Sequence, residues 1–88
     1  MNESVITFKN TNFAIKAEKC LLENNHKVCV MPLPNQISAG CGICLRVGET
    51  EVTPALNTLA GKQIEVMGCY SRIEKNGSFS YEETNRFS

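Results

Sequence analysis

Two apolar runs, His26 to Met31 and Ile43 to Val47, are joined by a stretch far longer than a simple turn: Pro32-Leu33-Pro34-Asn35-Gln36-Ile37-Ser38-Ala39-Gly40-Cys41-Gly42. A plain hairpin turns in about two to five residues, and a longer loop in a small domain tends either to carry function or to be mobile. Glycine on both sides of Cys41 lets the backbone take positive φ and approach a ligand closely. Consecutive amides in such a segment can form a concave nest for an anion. A thiol there would have its thiolate stabilised, and the thiolate is the nucleophile. The plainer reading is a tight turn that needs glycine, with the cysteine as a small buried filler.

The flanking chain bounds the problem. Its 88 residues make one domain, residues 1–88. Residues 1–74 form the expected core sandwich, and 75–88 the hairpin turn, last arm and tail. Nine basic residues against nine acidic leave no basic excess for a nucleic-acid surface. Met1-Asn2-Glu3-Ser4 has neither a positive nor an apolar region of a signal peptide. No apolar run is long enough to span a bilayer. Five cysteines cannot all pair within one chain. The expectation is therefore a cytoplasmic protein with reduced thiols.

Ser4 to Lys9 is rich in β-branched and aromatic residues and reads as a first strand. Asn10 and Thr11 are both good N-caps for a helix over Asn12 to Asn24. Phe13, Ala17, Cys20 and Leu21 share one face of it. Asn24-Asn25 closes the helix, asparagine being the usual substitute for glycine in the left-handed terminal position. His26 to Met31 is a second strand, with His26 as a turn residue. Ile43, Leu45 and Val47 alternate with Cys44 and Arg46 in a third. Thr53-Pro54 starts a short helix that Gly61 ends. Gln63 to Cys69 reads as a fourth strand. Asn76-Gly77 marks a two-residue hairpin turn between Tyr70–Glu74 and Ser78–Glu82. Thr84 to Ser88 is an expected frayed tail.

Strand, helix, strand, strand, helix, strand is the split βαβ order of an α+β, ferredoxin-like βαββαβ sandwich, here with a C-terminal β-hairpin. Ile43, Leu45, Val47, Val28, Val30, Ile64 and Val66 would face the helices. Cys29, Met31, Cys44, Met67 and Cys69 would line the other face, which is too apolar for water. Either the hairpin or a second copy of the chain should cover it, and a homodimer is the favoured expectation.

Cys41-Gly42-Ile43-Cys44 is a Cys-x-x-Cys pair open to three uses. A thioredoxin-type site opens a helix at the first cysteine, whereas the residues after Cys44 alternate as a strand. Three residues of extended chain also span about 10 Å, beyond the roughly 7 Å that a disulfide tolerates between α-carbons. A zinc site wants four ligands, and Cys20 and His26 are poorly placed to complete one. No metal or other cofactor is therefore expected. The third use needs Cys41 alone, as an accessible thiolate that accepts a sulfur or selenium atom and hands it on. No Lys, His, Asp or Glu lies between Met31 and Cys41, and a carrier needs no built-in base, because its donor delivers an activated atom.

The pattern Phe8, Thr11, Ala14, Ala17-Glu18, Leu21, Pro32-x-Pro34, Ser38-x-Gly40-Cys41-Gly42 and Leu45-Arg46 resembles the selenium/sulfur carrier protein-like family of small bacterial domains. The resemblance covers roughly residues 5 to 70 and is most specific in the Pro-x-Pro and Ser-x-Gly-Cys-Gly segments. It implies that Cys41 is the reactive position. Asn35 departs from the arginine usual after the second proline, and Cys44 from a small or apolar residue. The expectation is a carrier without stand-alone catalysis, partnered by sulfur or selenium donor and acceptor proteins. Cys41 would be the acceptor thiol and Cys44 an optional resolving thiol. Gly40, Gly42, Ser38 and Arg46 would form the binding surroundings. A non-catalytic dimeric interaction module, with the loop as its recognition surface, is the alternative from another class.

Overall fold

The first strand, β1 (Glu3–Thr7), carries an apolar side chain on each face, Val5 and Ile6, and its residues from Ser4 on are fully buried. A strand of that kind belongs in the middle of a sheet covered on both sides. In the computed structural model, which describes residues 3–38 and 40–84, β1 is the central strand of an antiparallel sheet. The other elements are α1 (Thr11–Glu23), β2 (Cys29–Pro32), β3 (Ile43–Gly48), a 3-10 turn (Glu49–Glu51), α2 (Val52–Gly61), β4 (Gly68–Lys75) and β5 (Ser78–Glu83). The five strands lie in the order β2-β3-β1-β4-β5. The architecture is α+β, with both helices on one face.

Of the two candidate caps of α1, Asn10 serves: its side chain accepts the amide of Phe13 at 3.0 Å. Both helices end in the same way. Asn25 (φ 65°) and Gln63 (φ 59°) take the left-handed conformation just past α1 and α2. The amide of His26 then reaches back to Leu21 O, and that of Ile64 to Leu59 O, both at 2.9 Å. These are Schellman closures. His26 sits in the turn as expected and meets Thr58 Oγ1 across the helices at 2.9 Å.

The helix-side core holds Ile6, Phe8, Ala17, Leu21, Leu45 and Leu59 among others, and Ile64 and Val66 pack against it. Those last two do so from the extended connection after α2, before any ladder begins. The expected strand from Gln63 to Cys69 and the first arm of the hairpin are in fact one strand, starting at Gly68. The hairpin is therefore part of the sheet, whose five strands replace the expected four-stranded sandwich with a separate appendage. The late start also shifts the facing by one residue. Cys69 lies beside Ile6 in the helix-side core, and Met67 is 52% exposed, so neither lines the second face as expected. Thr84, expected to fray, donates its amide to Cys69 O at 2.8 Å, while residues 85–88 lie outside the described residues.

Val5, Met31 and Cys44 do share the second face, with Tyr70. Its cover is the loop between β2 and β3, which lays Leu33 and Ile37 on these side chains, joined by Tyr81 of β5. The chain thus supplies a lid of its own for this face, to which the expected hairpin adds Tyr81.

Glutamine at a left-handed position costs about 1 kcal/mol that glycine avoids. Gln63→Gly should therefore raise unfolding free energy by about that amount, and Asn25→Gly by less, since asparagine tolerates the conformation. Urea denaturation of the three proteins checks both.

Candidate functional site

The loop is closed at its base by Leu33 N–H donating to Gly42 O, and turned at its tip by Ile37 N–H donating to Pro34 O, both at 3.0 Å. Ile37 is driven into the second-face core, leaving Asn35, Gln36 and Ser38 exposed. Gln36 Nε2 also donates to Phe79 O of β5 at 3.2 Å.

The two glycines beside Cys41 do different work. A Cβ on Gly40 would stand 2.1 Å from the carbonyl oxygen of Lys9, so only glycine lets the loop pass that backbone. Gly42 faces open space and its φ is not positive. Its freedom is unused in this conformation.

Cys41 itself is 5% exposed and packs in the helix-side core. Its Sγ–H donates to Ile43 O at 2.8 Å. The accessible thiol that the carrier use needs is, in this conformation, a covered and hydrogen-bonded one, as in the plainer reading of a small buried filler. Cys44 is fully buried in the other cluster, against the lid, with Sγ 3.9 Å from Pro32 O. Burial pushes its thiol up to about 11; negative charge on Cys41 adds to this, and the Arg72 guanidinium offsets part of it. Both cysteines are free, and the sheet separates their surroundings.

Arg46 lies on the Cys44 face, where its Nε is 3.4 Å from Glu3 Oε2. Its charge is thus held by Glu3 on the face away from Cys41's packing. Glu3 Oε1 accepts Arg72 Nη1 at 2.7 Å, Arg72 Nε donates to Tyr81 Oη at 3.3 Å, and the guanidinium lies 3.8 Å over the Phe79 ring. This row across β3, β1, β4 and β5 was missed in the sequence. The Asn76-Gly77 turn held the signal, because residues equidistant from it pair, which sets Arg72 opposite Tyr81. Among the described residues no group of three or more His, Cys, Asp or Glu side chains could hold a metal ion.

The profile of the family described as "Putative Se/S carrier protein-like" matches residues 3–71, from β1 into β4. The chain belongs to this family. No curated protein and no solved structure matches it. Within this selenium/sulfur carrier-like chain, the match spans the lid loop, both cysteines and Arg46 and ends inside the hairpin's first arm. Among the described residues no helix is long and apolar enough to cross a membrane.

Gly40→Ala should cost on the order of 2 kcal/mol or more, since overpacking against backbone cannot be relieved by a rotamer change. Gly42→Ala should be tolerated, and thermal melts of both variants check the contrast. A second test follows from Cys44. A thiol whose folded value lies above its unfolded one favours the fold fully below the unfolded value. That contribution is lost as pH rises through the folded value. Stability should therefore fall between about pH 9 and 11, and Cys44→Ala should flatten that part of a denaturation profile measured against pH.

Proposed function

We propose that this chain carries sulfur or selenium, accepting the atom on Cys41 as a persulfide or selenopersulfide and passing it to a second protein. The observation that supports it most is the setting of Cys41, inside the family match. The cysteine sits between a glycine that must pass close to Lys9 and a glycine with open space around it. Gly42 leaves the backbone free to swing the thiol outward, and Gly40 keeps the other end of the hinge seated. Exposing Sγ breaks the bond to Ile43 O and removes one small side chain from the core, together on the order of 1–3 kcal/mol. A partner that binds the opened segment supplies that energy.

The transfer itself is an exchange. The Cys41 thiolate attacks the outer sulfur of a donor persulfide, forming a new S–S bond as the donor's own S–S bond breaks. The donor cysteine leaves as thiolate and takes up the proton that Cys41 lost. No net electrons move, so no redox cofactor is required, and reduced thiols of a cytoplasmic setting suit the chemistry. Selenium follows the same course, ending as selenopersulfide. Cys44 is a poor resolving thiol: with a value of about 11, only about one in ten thousand molecules holds it as thiolate at neutral pH. The frame is read as a ferredoxin-like βαββαβ unit lengthened by β5, in which the lid half of the β2–β3 loop stays pinned and only its last residues around Cys41 open to a partner.

The burial of Cys41 favours a second reading, in which the thiol only packs and the loop is the recognition surface of a non-catalytic interaction module. Intact mass after incubation with a cysteine desulfurase and cysteine, with alkylation to trap persulfides, separates the two. The carrier reading expects one added sulfur atom on wild type and Cys44→Ser and none on Cys41→Ser. Equal labelling of every thiol, or labelling that persists in Cys41→Ser, would sink it.

A further inference from the structure

A groove of about 440 Å³ runs between α1 and the turn that follows α2. It belongs to neither the loop nor the two cysteines of the proposed carrier site, and the carrier reading does not depend on it. Its floor is apolar, made by Phe13, Cys20 and Ile64. Phe13 and Ile64 are half-buried and Cys20 is 8% exposed, so the surface is firm and a ligand on it would be partly desolvated.

The rim is cationic. Lys16 and Lys19 stand one turn apart on α1, and Lys62 faces them from the end of α2. Glu23 is the one acidic group on the rim, so the groove carries an excess of about two positive charges in a chain that is balanced overall, nine against nine. Among the described residues the two ion pairs both belong to Glu3, with Arg46 and Arg72. The three ammonium groups are thus not committed to carboxylates. Nor are they needed to close α2, whose last carbonyls already accept the amides of Lys62, Gln63 and Ile64.

Gln63 adds an independent sign. It lines the groove in a left-handed conformation (φ 59°) that glycine would take without strain. The chain carries an amide side chain there, a donor and acceptor at the lip.

We infer that this groove binds a small organic anion with an aromatic or branched apolar body, its phosphate or carboxylate head held by Lys16, Lys19 and Lys62. The volume falls in the range of small-molecule sites, which combine an apolar lining with a few convergent polar groups. Neither part suffices alone. The head gains weakly from exposed lysines in water, and the floor is too open to hold an uncharged ring.

The test is amide-shift mapping of the full-length protein titrated with phenyl phosphate, inorganic phosphate and benzyl alcohol at low salt. Phenyl phosphate should shift amides within Phe13–Glu23 and Lys62–Ile64 and saturate at millimolar concentration or below, with either fragment alone at least tenfold weaker. The double variant Lys16→Gln/Lys62→Gln changes only exposed side chains and should weaken phenyl phosphate binding at least tenfold with the amide spectrum otherwise intact. Equal responses to phosphate and phenyl phosphate would mean an ion cloud without a site. Unchanged binding by the double variant, shifts outside the groove, or no saturating shift would each overturn the inference.

Discussion

Everything in this chain follows from a central strand that cannot face water on either side. Ile6 points into the helix-side core and Val5 into the other, with the neighbouring β3 repeating the division through Leu45 and Cys44. Two amphipathic helices answer the first demand. The second falls to the loop between β2 and β3, which explains its length and its prolines. Leu33 and Ile37 must reach across the sheet, and a chain already restricted by proline loses less entropy on being pinned there. Returning from that lid to β3, the chain passes within contact of Lys9, where a side chain has no room. Cys41 follows directly and drops into the helix-side core. Its position is thus a consequence of how the second face is closed.

The polar row on that face sets its outer limit. Glu3 bridges Arg46 and Arg72, but its side chain is 36% exposed, so each ion pair is worth less than about 1 kcal/mol. Arg72 is better held, since its side chain is 13% exposed and also meets Tyr81 and Phe79. The row's effect is on register more than on stability. It ties β1 to both neighbours and, through Arg72, to Tyr81 of β5, the residue that joins the lid. The offset that Arg72 gives against Cys44's burial is a by-product of this placement.

Local signals were legible wherever one residue type had one physical use. Asn10 capped α1, Asn25 ended it, the alternation from Ile43 to Val47 made β3, and Asn76-Gly77 turned the hairpin. The misreadings share a cause. Ile64 and Val66 alternate as a strand does, but α2 ends in a Schellman closure whose left-handed residue is a glutamine, which carries no sequence signal for that conformation. The chain then needs four residues to descend to the sheet; Ile64 and Val66 among them pack on the core, and backbone contact with β1 resumes only where Met67 N–H meets Thr7 O at 2.8 Å. The lid was invisible for a different reason. Leu33 and Ile37 are isolated apolar residues in a proline-rich stretch, and only the three-dimensional course of the loop reveals that they share a target. A buried Cys41 was one of the two readings the sequence offered, and its burial agrees with the plainer one. What the sequence could not show is why Gly40 must be glycine, because a glycine's crowding depends on the backbone it meets.

That burial bears on both uses of Cys41. A filler needs nothing further, since a small thiol donating to Ile43 O is a satisfied core group. For a carrier the same closure is a filter. If the closed form is favoured by about 2 kcal/mol, roughly 3% of molecules expose the thiol at any moment, and oxidation by small solutes slows by the same factor. A protein partner that binds the opened segment better than the closed one recovers the loss, because it shifts the population toward the form it binds. Once formed, the persulfide is bulkier than the thiol by one atom, and a close-packed core has little room for it. The loaded form would then sit open and the empty form closed. A partner could therefore tell one from the other by the position of the loop alone.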